Sequence, residues 1–224
     1  LLAVWLCGLP ILGLLLGFDD WLRSHRPWFP NPLGSRVALV ISGSANGAFL
    51  LPLLAVAALG FHRRGRGQTA RTLTVLLLSG ILAGLVGTTL RSIIGRTRPD
   101  VAVEQGWFGP RKDGRWLVGK YAYGSFPSGH VSLAAGVGFM AFAAGRRAGL
   151  AGSVYGVAVA WSRFHLGAHR ASDAWAGLLV GGTITVLLWS PCLAWIRSRH
   201  RPRGWPRRWA FPGESRTSKP SWEH

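Results

Sequence analysis

Three short stretches of this chain concentrate the residue types that handle phosphate. The first, Arg91-Ser92-Ile93-Ile94-Gly95-Arg96-Thr97-Arg98-Pro99, sets two outer arginines ahead of a proline. The second, Pro127-Ser128-Gly129-His130, opens an apolar run, and the third extends from Ser162-Arg163 through His169 to Asp173. Arg91, Arg98 and Arg163 offer planar, permanently charged donor forks that suit a tetrahedral anion. Pro127 fixes the start of a helix whose first turn is expected to leave the N–H groups of Ser128, Gly129 and His130 free. A helix N-terminus of that kind binds phosphate. His169 and Asp173 are four apart and share a face on a helix, so the carboxylate can take one ring nitrogen and present the other as nucleophile or base. His130 supplies a second imidazole, able to protonate a leaving oxygen. One oriented and one free histidine beside an anion site point to phosphoryl transfer through a phosphohistidine.

The elements that position these residues are apolar. Of 224 residues, 49% are hydrophobic and only 15% charged, with 26 Lys+Arg against 8 Asp+Glu and a mean hydropathy of +0.24. Soluble domains carry about 25% charged residues. The low charge and recurrent apolar runs exclude a disordered chain and argue against a soluble domain. They make a membrane, rather than a nucleic acid, the acidic surface that a net charge of +18 faces. A spanning helix needs about 20 apolar residues, and candidates fall at about 1–18, 37–60, 72–90, 129–145, 148–162 and 171–196, the fourth and fifth being short. The first lacks a basic leader and an Ala-x-Ala-like cleavage site, which argues against a signal peptide. Small residues, among them Gly80, Gly84, Gly87, Gly152 and Gly156, mark helices that pack closely in a membrane. Cys7 and Cys192 lie in apolar stretches and read as buried small residues rather than a disulfide.

Six spans put both termini on one side. The basic turns at His62–Arg71 and Arg146-Arg147, with the basic tail, make that side cytoplasmic. All three polar stretches then gather on the opposite face, where ionisable residues at the membrane are functional candidates. The expected domain is 1–196, followed by a basic tail at 197–224 that reads as disordered and drawn to anionic headgroups. Tryptophans near segment ends, such as Trp21 and Trp161, suit the interface.

The order and spacing of R-x6-R-P at Arg91–Pro99, P-S-G-H at Pro127–His130 and S-R-x5-H-x3-D at Ser162–Asp173 resemble the three signatures of the type 2 phosphatidic acid phosphatase (PAP2) superfamily. The resemblance covers about 72–190 and implies an all-α, six-transmembrane-helix phosphatase that uses no metal or other cofactor. It assigns His169 as nucleophile, Asp173 as its orienting partner and His130 as general acid. Arg91, Arg98, Ser128, Gly129 and Arg163 would bind the phosphate. The family's first signature usually begins with Lys, and Arg91 stands there instead.

The implied substrate is a membrane lipid phosphate or diphosphate, with undecaprenyl diphosphate, lipid A phosphate, phosphatidic acid and phosphatidylglycerol phosphate all fitting. The expected location is a bacterial inner membrane, with the site facing the periplasm and no nucleic-acid partner. A phosphotransferase using the same site and a non-catalytic lipid-binding or transport protein are the alternatives. His165, His169 and Asp173 also have a spacing known from zinc sites, but Arg163 and Arg170 are poor neighbours for a cation. Arg111, Lys112, Arg115 and Lys120, in a long loop from Asp100 to Phe126, read as a solvated loop or as a lid that grips a polyanionic headgroup.

Overall fold

The structure, a computed structural model, describes residues 2–25 and 32–197. The expected tail at 197–224 lies, beyond Arg197, outside the described residues. Seven helices follow in chain order: α1 (Leu2–Ser24), α2 (Pro32–Ser44), α3 (Gly47–Arg63), α4 (Gly67–Ile94), α5 (Gly129–Met140), α6 (Arg146–His165) and α7 (Ala171–Arg197). The all-α expectation holds. The apolar stretch at 37–60 is not one helix, however. α2 and α3 meet at a bend of 55°, because the Asn46 side chain accepts the N–H of Ala48 at 3.0 Å and starts a new helix there.

By length and composition α1, α4 and α7 can each cross a membrane, and the bent α2–α3 pair makes a fourth span. The expected count of six spans is therefore not exact: among the described residues three helices, or four spans with the bent pair, are long and apolar enough. α5, which ends in a 3-10 turn at Ala141–Ala144, is a shorter apolar helix. It tolerates its shortness because it is the centre of the bundle: Val131 through Gly138 are buried, as is Met140. α6 compensates for its charged ends with an exposed apolar stripe, Leu150, Val154, Val157 and Trp161. With comparable outward leucines and valines on α1, α2, α3 and α4, these surfaces fit lipid, and the chain is an integral membrane protein.

Small residues let the other helices close on α5. A Cβ built on Gly138 would lie 2.2 Å from the carbonyl oxygen of Gly152 on α6. One on Gly177 of α7 would lie 2.9 Å from that of Ser128, and one on Gly87 of α4 would lie 2.6 Å from Ser132 Oγ. α1 in turn rests on α7, where Trp175 Nε1 donates to the Gly8 carbonyl at 3.0 Å. Ser44 of α2 and Tyr155 of α6 share a hydrogen bond of 3.0 Å.

The segment between α4 and α5 is a folded cap. Gly95 ends α4 with φ of 63°, and a Cβ there would sit 1.9 Å from the Gly109 carbonyl oxygen, so the turn requires glycine. Strands β1 (Arg111–Lys112) and β2 (Arg115–Trp116) pair antiparallel around Asp113-Gly114, both at positive φ, the backbone that tight hairpins need. Lys112 pairs with Glu104 and lies 3.8 Å from the centre of the Phe108 ring. Arg111 sits over Trp116.

Candidate functional site

Four chain segments deliver the site to one end of the bundle: the C-terminus of α4, the N-terminus of α5, the turn from α6 to α7, and the C-terminal part of α1. Arg91 stands on the last turn of α4, with Nη1 directly over Gly129. A Cβ on Gly129 would meet that nitrogen at 3.4 Å, so glycine leaves room for the guanidinium at the start of α5. Arg98 is buried on the cap. Its Nε donates to the Tyr121 carbonyl at 3.0 Å, its Nη1 to the Ala168 carbonyl at 3.3 Å, and its guanidinium covers the Tyr121 ring at 4.0 Å. Arg163, near the end of α6, donates through Nη1 to Ser42 Oγ at 2.8 Å.

These cations converge with the two imidazoles. Arg98 lies within charge-interaction range of Arg91, Arg163, His130 and His169, and His130 within range of His169, Arg163 and Arg91. Ser128 Oγ and Arg163 Nε are buried without a hydrogen-bond partner. Both are donor groups able to reach an anion placed among these arginines.

The helix N-terminus of α5 differs in one respect from expectation. Ser128 N–H is not free: it donates to the Asp173 carbonyl at 3.0 Å and ties α5 to α7. The N–H groups of Gly129 and His130, in the first turn, have no acceptor within the helix.

His169 and Asp173 meet by a different route from a shared helical face. α6 ends at His165, the chain reverses through Gly167 at φ of 73°, and α7 starts only at Ala171. His169 therefore sits in the turn, with Asp173 in the first turn of α7. Nδ1 of His169 is 3.8 Å from Oδ2 of Asp173, an ion-pair distance beyond hydrogen-bond range. That oxygen already accepts from Ser125 Oγ at 2.6 Å and from the Arg170 N–H at 2.8 Å. Oδ1 accepts from Arg96 Nη1 at 2.7 Å. His169 is 2% exposed, and burial pushes its pKa down to about 4 against the opposing pull of Asp173. Its ring is neutral near pH 7, with a lone pair to offer.

Arg96, Ser125, Ser172 and Asp19 are further site residues that spacing did not single out. The partners of Asp173 come from loop and helix positions far away in the chain, and no local pattern announces them. His165, by contrast, turns aside to stack on Trp161 with ring centroids 5.0 Å apart. Among the described residues no three His, Cys, Asp or Glu side chains are grouped to hold a metal ion.

Two cavities adjoin at Arg91 and Thr88. One, of about 270 Å³, has His130 and Gly129 at its polar end and Leu51, Ile81, Leu85 and Leu133 along its apolar wall. The other, of about 210 Å³, is the more polar of the two, with Arg98, Ser92, Tyr121 and Lys120 in its wall beside Leu117. Of the four basic cap residues, Lys120 borders this cavity, whereas Lys112 is spent on Glu104.

The fold and site define an integral membrane helical bundle with a cationic, histidine-bearing centre where an apolar groove meets a second cavity lined by Arg98 and Lys120. The sequence profile of the PAP2 superfamily matches residues 72–210, and the chain belongs to that superfamily. It is 35% identical over 140 residues to a lipid A 1-phosphatase of Rhizobium etli, covering 59% of this chain and 54% of the relative. It is 33% identical over 138 residues to the lipid A 1-phosphatase of Rhizobium johnstonii, covering 58% and 52%. The chain thus matches about half the length of these curated relatives. Among solved structures, the PAP2-type phosphatidylglycerolphosphate phosphatase of Bacillus subtilis superposes with a TM-score of 0.64 at 22% identity, over 90% of this chain and 98% of that one. Aquifex aeolicus LpxE superposes with a TM-score of 0.54 at 19% identity, over 79% and 92%. At those identities the likeness is one of fold.

Proposed function

We propose that this protein hydrolyses the phosphate or diphosphate of a membrane lipid through a phosphohistidine, at a site on the extracytoplasmic face of a bacterial inner membrane. One observation carries the reading: Arg98 and Arg163 lie within charge-interaction range of the buried His169, and Arg91 joins them around the second imidazole, His130. The lipid body lies in the apolar groove and its phosphate among the arginines, whose charge stabilises the transition state. His169 Nε2 attacks phosphorus as the bond to the lipid oxygen breaks, and His130, which takes up a proton when the phosphate anion offsets the surrounding arginines, gives that oxygen its proton. Water, deprotonated by the now neutral His130, then cleaves the P–N bond and frees phosphate. The Asp173 carboxylate, 3.8 Å from Nδ1, favours the imidazole proton on that nitrogen by its charge, so the Nε2 lone pair faces phosphorus.

Within this class we favour a lipid A-type 1-phosphate or a polyprenyl diphosphate. Support comes from the two rhizobial relatives, both lipid A 1-phosphatases, and from the second cavity, where Lys120 joins Arg98 and Arg91. The test is release of inorganic phosphate by detergent-purified protein in EDTA. The panel contains lipid A, undecaprenyl diphosphate, phosphatidic acid and phosphatidylglycerol phosphate, with His169→Ala alongside. Release that EDTA spares and the variant loses supports the mechanism, and the rates rank the substrates. Release that persists in His169→Ala, or that EDTA abolishes, overturns it; transfer to a second lipid without phosphate release makes the protein a transferase.

A further inference from the structure

A carboxylate on the first helix is the most unexpected feature of this bundle. α1 is an apolar helix, yet Asp19 is 3% exposed, while its neighbour Asp20 is exposed. Burying a carboxylate is costly unless it is fully paired, and Asp19 is paired on both oxygens. Oδ2 accepts from Arg96 Nη2 at 2.8 Å and from Ser172 Oγ, and Oδ1 accepts the Ser172 N–H at 3.1 Å. Asp19 thus caps the first turn of α7 from outside, satisfying an N–H that has no intrahelical acceptor.

The guanidinium of Arg96 is divided between two acids. Nη2 goes to Asp19, while Nη1 goes to Ser172 Oγ and to Asp173 Oδ1, both at 2.7 Å. Arginine–carboxylate pairs favour the bidentate fork, which engages both carboxylate oxygens. Splitting the fork holds Arg96 to one oxygen of Asp173 and leaves Oδ2 turned toward His169 Nδ1, 3.8 Å away. The Trp107 ring, 4.4 Å from the Arg96 guanidinium, closes its other side.

We propose that Asp19 is a positioning residue for the reaction: through Arg96 and Ser172 it fixes Asp173 in the rotamer that sets the tautomer of His169. The kinetic consequence rests on the phosphatase reading above, and the structural consequence does not. Remove the charge of Asp19, and Arg96 swings into a fork on Asp173, drawing Oδ2 from the imidazole. The proton of His169 then redistributes between its two nitrogens.

The experiment compares full-length wild type with Asp19→Asn, which keeps the shape, and Arg96→Lys, which keeps the charge but cannot bridge two acids. Detergent-purified proteins labelled with [15N]histidine are examined by NMR, the His169 resonances being identified by their loss in His169→Gln. Wild type is expected to show the Nδ1–H tautomer, and folded Asp19→Asn a mixture. In turnover, Asp19→Asn is expected to lower kcat 10- to 100-fold with KM within twofold, and to cost less than threefold in an Asp173→Asn background. Asp19→Glu, which retains the charge, is expected to recover part of the rate. Unchanged His169 shifts in folded Asp19→Asn, or an equal loss of kcat with and without Asp173, would reduce Asp19 to a staple between α1 and α7 and overturn the proposal. If Asp19→Asn does not fold, the tautomer of Arg96→Lys decides, with a wild-type spectrum refuting the idea. A shifted tautomer in a protein whose wild type releases no phosphate from any lipid would sink the phosphatase reading and leave the positioning role standing.

Discussion

Replacing Asp173 by Asn removes one charge and leaves the volume unchanged, so its consequences can be worked through atom by atom. The carboxylate accepts from Arg96 on Oδ1 and from Ser125 and the Arg170 N–H on Oδ2, and it faces His169 Nδ1 across 3.8 Å. An amide has one oxygen to offer. If that oxygen stays with Arg96, the NH2 group confronts the Arg170 N–H and faces His169. The Ser125 hydroxyl can reverse and accept, but the Arg170 N–H is stranded. The NH2 group then donates to Nδ1, which moves the imidazole proton to Nε2 and occupies the lone pair that attacks phosphorus. In the opposite orientation the NH2 group meets the guanidinium of Arg96, two donors face to face in a buried place. The first arrangement is the cheaper, and its cost falls on catalysis. A wrong histidine tautomer lowers kcat about 10³-fold, within the range of 10² to 10⁴ and roughly 4 kcal/mol of barrier. The stranded N–H and lost charge-assisted bond cost about 2 kcal/mol of stability, leaving the protein folded. The assay is single-turnover phosphate release by purified Asp173→Asn together with its thermal unfolding in detergent. A folded variant within tenfold of wild-type kcat would refute this account of His169.

His130→Ala should slow hydrolysis of alkyl lipid phosphates at least 100-fold, and an aryl phosphate, whose leaving oxygen needs no proton, far less; equal losses on both would remove His130 from the general-acid role. Because burial holds His169 near 4 against 6.5 in an unfolded chain, the unfolded state binds the extra proton between those values, so stability is full above pH 6.5 and falls as pH drops toward 4. The group's share is on the order of 3 kcal/mol, and thermal scans from pH 7 to 4.5 should show a smaller decline in His169→Asn than in wild type. Gly138→Ala should destabilise the bundle by 2 kcal/mol or more, on the order expected for overpacking, since its Cβ would lie 2.2 Å from the Gly152 carbonyl oxygen. Gly13→Ala on α1, with nothing within 4 Å of its Cβ, should leave the melting temperature unchanged or raise it, and a reversed order of the two would contradict this packing.

The chain's residues alone determined its helical, membrane-embedded character, since apolar runs near bilayer length are a local property. They also determined which residues to watch: Arg91, Arg98, Ser128, Gly129, His130, Arg163, His169 and Asp173 sit in three compact motifs, and spacing within a motif survives in the sequence. The break at Asn46 was a local capping signal in a stretch otherwise apolar enough to read as one span. Tertiary structure decided the rest. Where His169 meets Asp173 depends on a turn at Gly167 that ends one helix before the next begins. Whether Asp173 has partners depends on Ser125 and Arg96, which lie 48 and 77 positions away. Asp19 contacts Ser172 across 153 positions, and nothing near it in the chain distinguishes it from exposed Asp20. A sequence records covalent neighbours, whereas the charges of a buried site are balanced by whichever groups the packed helices bring within a few ångströms.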